Sequence, residues 1–167
     1  MPLCPPCAVR RSLRFLTSCF LSEVVFTPTE NQRSADPVLL SPLTLAFVGD
    51  VVYELMVRRQ LVEGGSMPVG KLHARAVEQV NATAQAAVYH RLEPVLDPLE
   101  LSILKRGRNA HTGRTPKNAT AIDYRKATGV EALFGYLYLS GKTERLAELF
   151  DIIGRPGGEE EPTDGQK

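Results

Sequence analysis

Between Leu39 and Gly154 apolar residues return at three- and four-residue intervals, and the clusters of glycine and proline fall between these periodic stretches. No stretch alternates in the manner of a strand. The pattern predicts an all-α domain of five or six helices, at about 43–63, 69–81, 83–91, 97–110, 120–140 and 143–153. Asp97-Pro98 reads as a helix start, a capping side chain followed by proline at the first helical position, and Thr143 is expected to cap the last helix. There is no internal repeat.

The predicted first helix, LTLAFVGDVVYELMV, is apolar on two sides. Thr44, Leu45, Val48, Val51, Val52 and Leu55 form one wide stripe, taken as the core face. Asp50 points away from it, among Leu43, Ala46, Val57 and Leu61, with Glu54 one turn on. A helix so patterned is buried twice, by its own core and by a second subunit. A homodimer is therefore expected, with its interface on or beside the Asp50 side and weakened by a charge at Val57 or Phe134. In KATGVEALFGYLYL, Glu131 likewise shares an apolar face with Tyr124, Ala127, Thr128, Phe134, Gly135 and Tyr138. Gly135, lacking a side chain, marks a place where another helix can come close. One acid on an apolar face is ordinarily explained by a partner arginine or a helix cap. Two of them suit hard oxygen ligands on facing helices, the usual way to hold Mg2+, which activates water and neutralises charge on a phosphate.

Composition changes this picture little until it is resolved along the chain. The formal net charge of +1 over 167 residues announces no nucleic-acid partner. The stretch KRGRNAHTGRTPKN, 105–118, nevertheless carries five Lys or Arg residues and no acid. Lys105, Arg106, Arg108, Arg114 and Lys117, with neutral donors on Asn109, Thr115 and Asn118, read as a protruding loop that grips phosphate oxygens. A merely solvated basic face is the plainer alternative. His73 and His90 read as ordinary helix residues, and His111 as part of the loop. All three cysteines, Cys4, Cys7 and Cys19, precede the domain, so its core holds no disulfide or thiolate metal site. No apolar run nears the ~20 residues of a membrane span. A soluble, cytoplasmic protein is expected. Domain limits follow from composition: 1–38 an N-terminal extension and linker, 39–154 the folded domain, and 155–167 an acidic disordered tail. The first segment, with Arg10, Arg11 and Arg14 and no acid before Glu23, has the look of a targeting peptide or of a start placed too early.

Taken together these residues resemble the ribonuclease III family. VGDVVYE around Asp50 is similar to that family's signature helix, whose Gly-Asp pair supplies a catalytic metal ligand, and TGVEALFGYLYL is similar to the second signature helix, whose glutamate falls at Glu131. RGRNA followed by TPKN resembles the loop of the Mini-ribonuclease III branch, and LHARAVEQVNATAQA its middle helices. The resemblance implies the ribonuclease III endonuclease-domain helical fold and a homodimer with a cleft for duplex RNA. It also implies a magnesium-dependent endoribonuclease with Asp50 and Glu131 as catalytic and metal-binding residues, acting in maturation of ribosomal RNA precursors. Full-length ribonuclease III usually has further acids where this chain holds Ala46 and Thr128, a departure that fits the smaller branch. A non-catalytic RNA-binding or ribosome-associated relative is the alternative.

Overall fold

The computed structural model describes residues 36–110 and 120–154. Among them there are six α-helices and no strand: α1 Pro42–Glu63, α2 Val69–Val80, α3 Ala82–Leu92, α4 Pro98–Asn109, α5 Ala121–Leu139 and α6 Thr143–Gly154. The predicted spans agree to within two residues at every end. The caps explain the boundaries. Ser41 Oγ accepts from the Thr44 amide at 3.1 Å, with Pro42 at the first position of α1. Asn81 serves two helices, accepting from the Ala84 amide at the start of α3 while its Nδ2 donates to the Val77 and Glu78 carbonyls at the end of α2. Asp97 and Glu100 form a reciprocal capping box on α4, as the Asp97-Pro98 signal predicts. Thr143 differs from expectation: it is the first residue of α6, and the Lys142 carbonyl before it takes the Leu146 amide at 3.0 Å.

Helix α5 is the centre of the fold, packed by α1, α3, α4 and α6. From Ala127 to Leu137 every residue except Glu131 is buried. Around it lie Leu45, Val52, Tyr53 and Val57 of α1, Val88, Tyr89 and Leu92 of α3, Ile103 and Leu104 of α4, and Leu146 and Leu149 of α6. Tyr53 meets Phe134 edge to face at 5.3 Å. Polar ties fasten the periphery. Arg145 of α6 grips the buried Glu100 through two hydrogen bonds at 3.0 and 2.9 Å, and Arg91 of α3 donates to the Ile152 and Ile153 carbonyls at the C-terminus of α6.

The α1–α5 contact sets the geometry. A Cβ on Gly49 would fall on the Glu131 carbonyl and 2.6 Å from the Gly135 amide nitrogen, and one on Gly135 would fall on the Leu45 carbonyl. The two backbones touch here, as the mid-helix Gly135 predicts. This crossing corrects the assignment of the faces of α1. The core face is Leu45, Ala46, Gly49, Val52, Tyr53 and Val57, whereas Thr44, Val51 and Leu55 of the expected core stripe are exposed. On a helix apolar all round, periodicity does not choose the buried side. Gly49 chooses it, because only there can α5 approach. Val57 and Phe134 consequently lie in the subunit's own core, 1% and 0% exposed, and not in an interface. The open side of α1 carries Leu43, Phe47, Val51 and Leu55, with Phe47 78% and Val51 64% exposed.

Candidate functional site

The backbone contact at Gly49 and Gly135 places the two singled-out acids beside each other. Asp50 follows Gly49, about 100° round α1 from the point of contact, at the seam between the core face and the open apolar face. Glu131 precedes Gly135 by one turn, and its carbonyl is the atom against which Gly49 packs. Glu131 feels the charge of Asp50. Burial, then the charge of Asp50, pushes Glu131 up from 4.5 to about 7, against a hydrogen bond from Gln85 that pulls it down. Asp50 is also raised, by burial first and then by the charge of Glu54.

Neither acid has an ion-pair partner among the described residues. Among the described residues the ion pairs join Arg58 to Glu54, Arg59 to Glu63, and Arg145 to Glu100 and Glu148. The plain explanation for acids on apolar faces, a partner arginine, applies to Glu100, and no described arginine supplies it for Asp50 or Glu131. Two adjacent carboxylates, one of them half-buried and raised by the charge of the other, are relieved by a divalent cation, and hard oxygens are its preferred donors. The pair fits Mg2+ chemically. It is a sparse set: Ala46 and Thr128, where further acids were considered, are buried, and Thr128 Oγ1 is spent on the Tyr124 carbonyl at 3.0 Å. Among the described residues no group of three or more His, Cys, Asp or Glu side chains is disposed to hold a metal ion.

The basic segment divides. Lys105 and Asn109 are exposed at the end of α4, along an open groove of about 740 Å³ that also takes in Ser41 and, from α1, Pro42 and Leu43. Arg106 is occupied: its guanidinium donates to the Val38 and Leu40 carbonyls at 2.9 and 3.1 Å, tying the chain before α1 to α4. Arg108 donates to the Tyr89 hydroxyl at 3.3 Å and to Asn109 Oδ1 at 3.2 Å. Arg114, Thr115, Lys117 and Asn118, with His111, lie outside the described residues, as do the cysteines. The structure therefore brings Asp50 and Glu131 together and leaves the described basic residues on α4, around Tyr89 and the start of α1. His90, read as an ordinary helix residue, accepts at Nε2 from the Lys126 ammonium at 2.8 Å. No helix among the described residues is long and apolar enough to cross a membrane.

Sequence reasoning passed over Gln85. Its signal was legible: Gln85, Val88, Tyr89 and Leu92 line one face of α3 at helical spacing, so the amide stands on an apolar face just as the two acids do.

The model of the Ribonuclease III domain matches residues 43–142. The chain is 50% identical to the Mini-ribonuclease 3 of Symbiobacterium thermophilum over 117 residues, 70% of this chain and 90% of that protein. It is also 50% identical to the Mini-ribonuclease 3 of Brevibacillus brevis over 120 residues, 72% and 90% of the two chains. Among solved structures, a crystal structure of a Fusobacterium nucleatum protein matches with a TM-score of 0.65 and 32% identity, covering 72% of this chain and 96% of that one.

Proposed function

The chain belongs to the ribonuclease III family, in its Mini-ribonuclease 3 branch, and from that premise we propose that it is a Mg2+-dependent endoribonuclease that cuts double-stranded RNA. The observation that carries the reading is the carboxylate pair at the α1–α5 crossing, which has no ion-pair partner among the described residues. Asp50 and Glu131 would hold Mg2+, which when bound lowers the pKa of water and neutralises charge on the phosphate under attack. The residues themselves do the rest. Glu131, raised to about 7, gives up its proton to become a ligand, so metal affinity rises with pH toward neutrality. Asp50, at the exposed edge of the pair, faces the side from which substrate comes. Lys105 and Asn109, with Arg114, Thr115, Lys117 and Asn118, contact the RNA backbone and set affinity without reading sequence. Arg108 joins them only by leaving Tyr89, and Arg106 only by releasing the Val38 and Leu40 carbonyls.

The active unit in this reading is a homodimer. Leu43, Phe47, Val51 and Leu55 are an apolar strip on the side of α1 opposite its core, and a second copy meeting it by a two-fold axis would cover it. Asp50 borders that strip, so two sites would flank one interface. The natural substrate is proposed to be a ribosomal RNA precursor in the cytoplasm, and the folded domain to be 39–154.

The test is digestion of a long duplex RNA beside single-stranded RNA and duplex DNA. Cutting of the duplex RNA with Mg2+, none with a chelator, and none by Asp50→Asn is expected. Cleavage that survives Asp50→Asn sinks the assignment. A wild-type protein that shifts duplex RNA in a gel and never cuts it would instead be the non-catalytic relative.

A further inference from the structure

We propose that Gln85 is the positioning residue for Glu131, its buried amide holding the carboxylate in the orientation that meets Asp50. The inference rests on the reading that Asp50 and Glu131 bind a divalent cation, and it names a third residue on which that binding depends.

Gln85 is 1% exposed, on the face of α3 whose other members are Val88, Tyr89 and Leu92. Its Nε2 donates to the Val80 carbonyl at 3.1 Å, and the same amide lies beside the Glu131 carboxyl, whose pKa it lowers against the effect of burial. These two neighbours decide which way the amide points. A backbone carbonyl and an ionised carboxylate both only accept, so the two hydrogens of Nε2 serve them, and a flipped amide would set oxygen against oxygen. Oε1 is left buried with no hydrogen bond from any described residue.

For the fold alone this is a poor choice. An apolar side chain of similar length would fill the space and leave no buried acceptor unpaired. A local rule broken in the core, beside the carboxylate pair, points to a functional cause. The anchor is suited to that cause. Val80 ends α2, where the last carbonyls lack helical partners, and Asn81 fastens that end to the start of α3. Glu131 is thereby referred, through one amide, to a fixed helix junction. A long, flexible side chain is ordered before any ligand arrives, as outer partners order the ligands of metal sites generally.

The experiment uses the full chain and Gln85→Met, which keeps the volume and removes the amide. Titration calorimetry with Mg2+ alone on chelator-stripped protein gives the affinity, steady-state digestion of duplex RNA gives kcat and KM, and melting without Mg2+ reports the fold. Mg2+ affinity is expected to fall about 10- to 100-fold, the range found for outer partners of metal ligands. At fixed Mg2+, kcat should fall with it while KM for RNA stays within twofold. Mg2+ affinity within twofold of wild type overturns the proposal, whatever happens to stability. Should Gln85→Met not fold, Gln85→Ala, which leaves room for water beside Glu131, takes its place with the same readings. Wild-type Mg2+ binding in Asp50→Asn and Glu131→Gln would bring down the metal assignment and this proposal with it. If those two variants lose Mg2+ and the Gln85 variant keeps it, this proposal alone falls.

Discussion

Replacing Glu131 by glutamine should make the metal-free protein more stable at pH 8 and leave it almost unchanged at pH 4.5. Burial and the charge of Asp50 raise Glu131 from 4.5 to about 7 in the folded state. The folded chain therefore holds a proton that the unfolded chain has released, and stability declines as pH rises between those values. Below 4.5 both states are protonated and the effect disappears; above 7 both are ionised and the whole cost is present. At ~1.4 kcal/mol per pH unit the cost reaches roughly 3 kcal/mol. Glutamine is neutral at every pH and has nearly the shape of the protonated acid, so it should recover most of that at pH 8 and under ~0.5 kcal/mol at pH 4.5. For a domain of this size, ~4 °C per kcal/mol converts the gain to about 10 °C in melting temperature.

The assay is calorimetric melting of wild type and variant at equal concentration, stripped with chelator, across pH 4.5 to 8. Adding Mg2+ at pH 8 should then raise the wild-type melting temperature and not that of the variant, because ligand binding stabilises only the protein that binds. The variant should also fail to cut RNA. A gain equal at both pH values would mean that the charge of Glu131 is not the cause. A loss of stability at pH 8 would mean that the carboxylate is compensated in the folded protein, and the argument for an uncompensated pair would fail.

Three further outcomes follow from the geometry. Phe47→Glu should leave the subunit folded, since the side chain is 78% exposed, and should abolish association in sedimentation, whereas Val57→Glu should unfold the chain; a dimer that survives Phe47→Glu would remove the open face of α1 from the interface. Arg106→Ala should cost about 1 to 2 kcal/mol in denaturant melts by releasing the Val38 and Leu40 carbonyls, while Lys105→Ala with Lys117→Ala should spare stability, weaken duplex binding and flatten its salt dependence. The reverse pattern would exchange their roles. Gly49→Ala should prevent native folding, because its methyl group would fall on backbone atoms of Glu131 and Gly135 that cannot give way, and circular dichroism with native-like melting would refute the close crossing.

Helix limits were legible because each depends on neighbours in sequence: Ser41, Asn81, Asp97 and Thr120 all bond amides two or three residues ahead. The acids were legible for a related reason, a charge interrupting a helical apolar face. What periodicity left open was which of two apolar faces of α1 is inside, since that depends on a residue of another helix, Gly135, meeting Gly49. The partners of Arg106 were hidden by the same limit. Its five donors look alike in the sequence whether they reach out to phosphate or, as here, back to carbonyls 66 and 68 positions earlier in the chain. Gln85 escaped notice because an uncharged amide on an apolar face draws less attention than an acid, although its burial raises the same question.

The position of Asp50 links assembly to chemistry through one helix. Its neighbours on α1 toward the core, Ala46 and Val57, are buried, and those on the other flank, Leu43 and Phe47, are open. A subunit docked on the open side would remove water from that flank of Asp50 while leaving the α5 flank unchanged. Burial is already the largest influence raising Asp50, so docking adds to the cost of its charge and to that of Glu131 beside it. A divalent cation lowers both costs at once. Metal binding and dimerisation should then favour each other: Mg2+ should lower the concentration at which wild-type subunits associate, and Phe47→Glu, a monomer with both carboxylates intact, should bind Mg2+ more weakly than wild type. Sedimentation of the wild type with and without Mg2+ measures the first, and calorimetry of the variant the second. Association that ignores Mg2+ would mean that the open face and the carboxylate pair, though neighbours on α1, act independently.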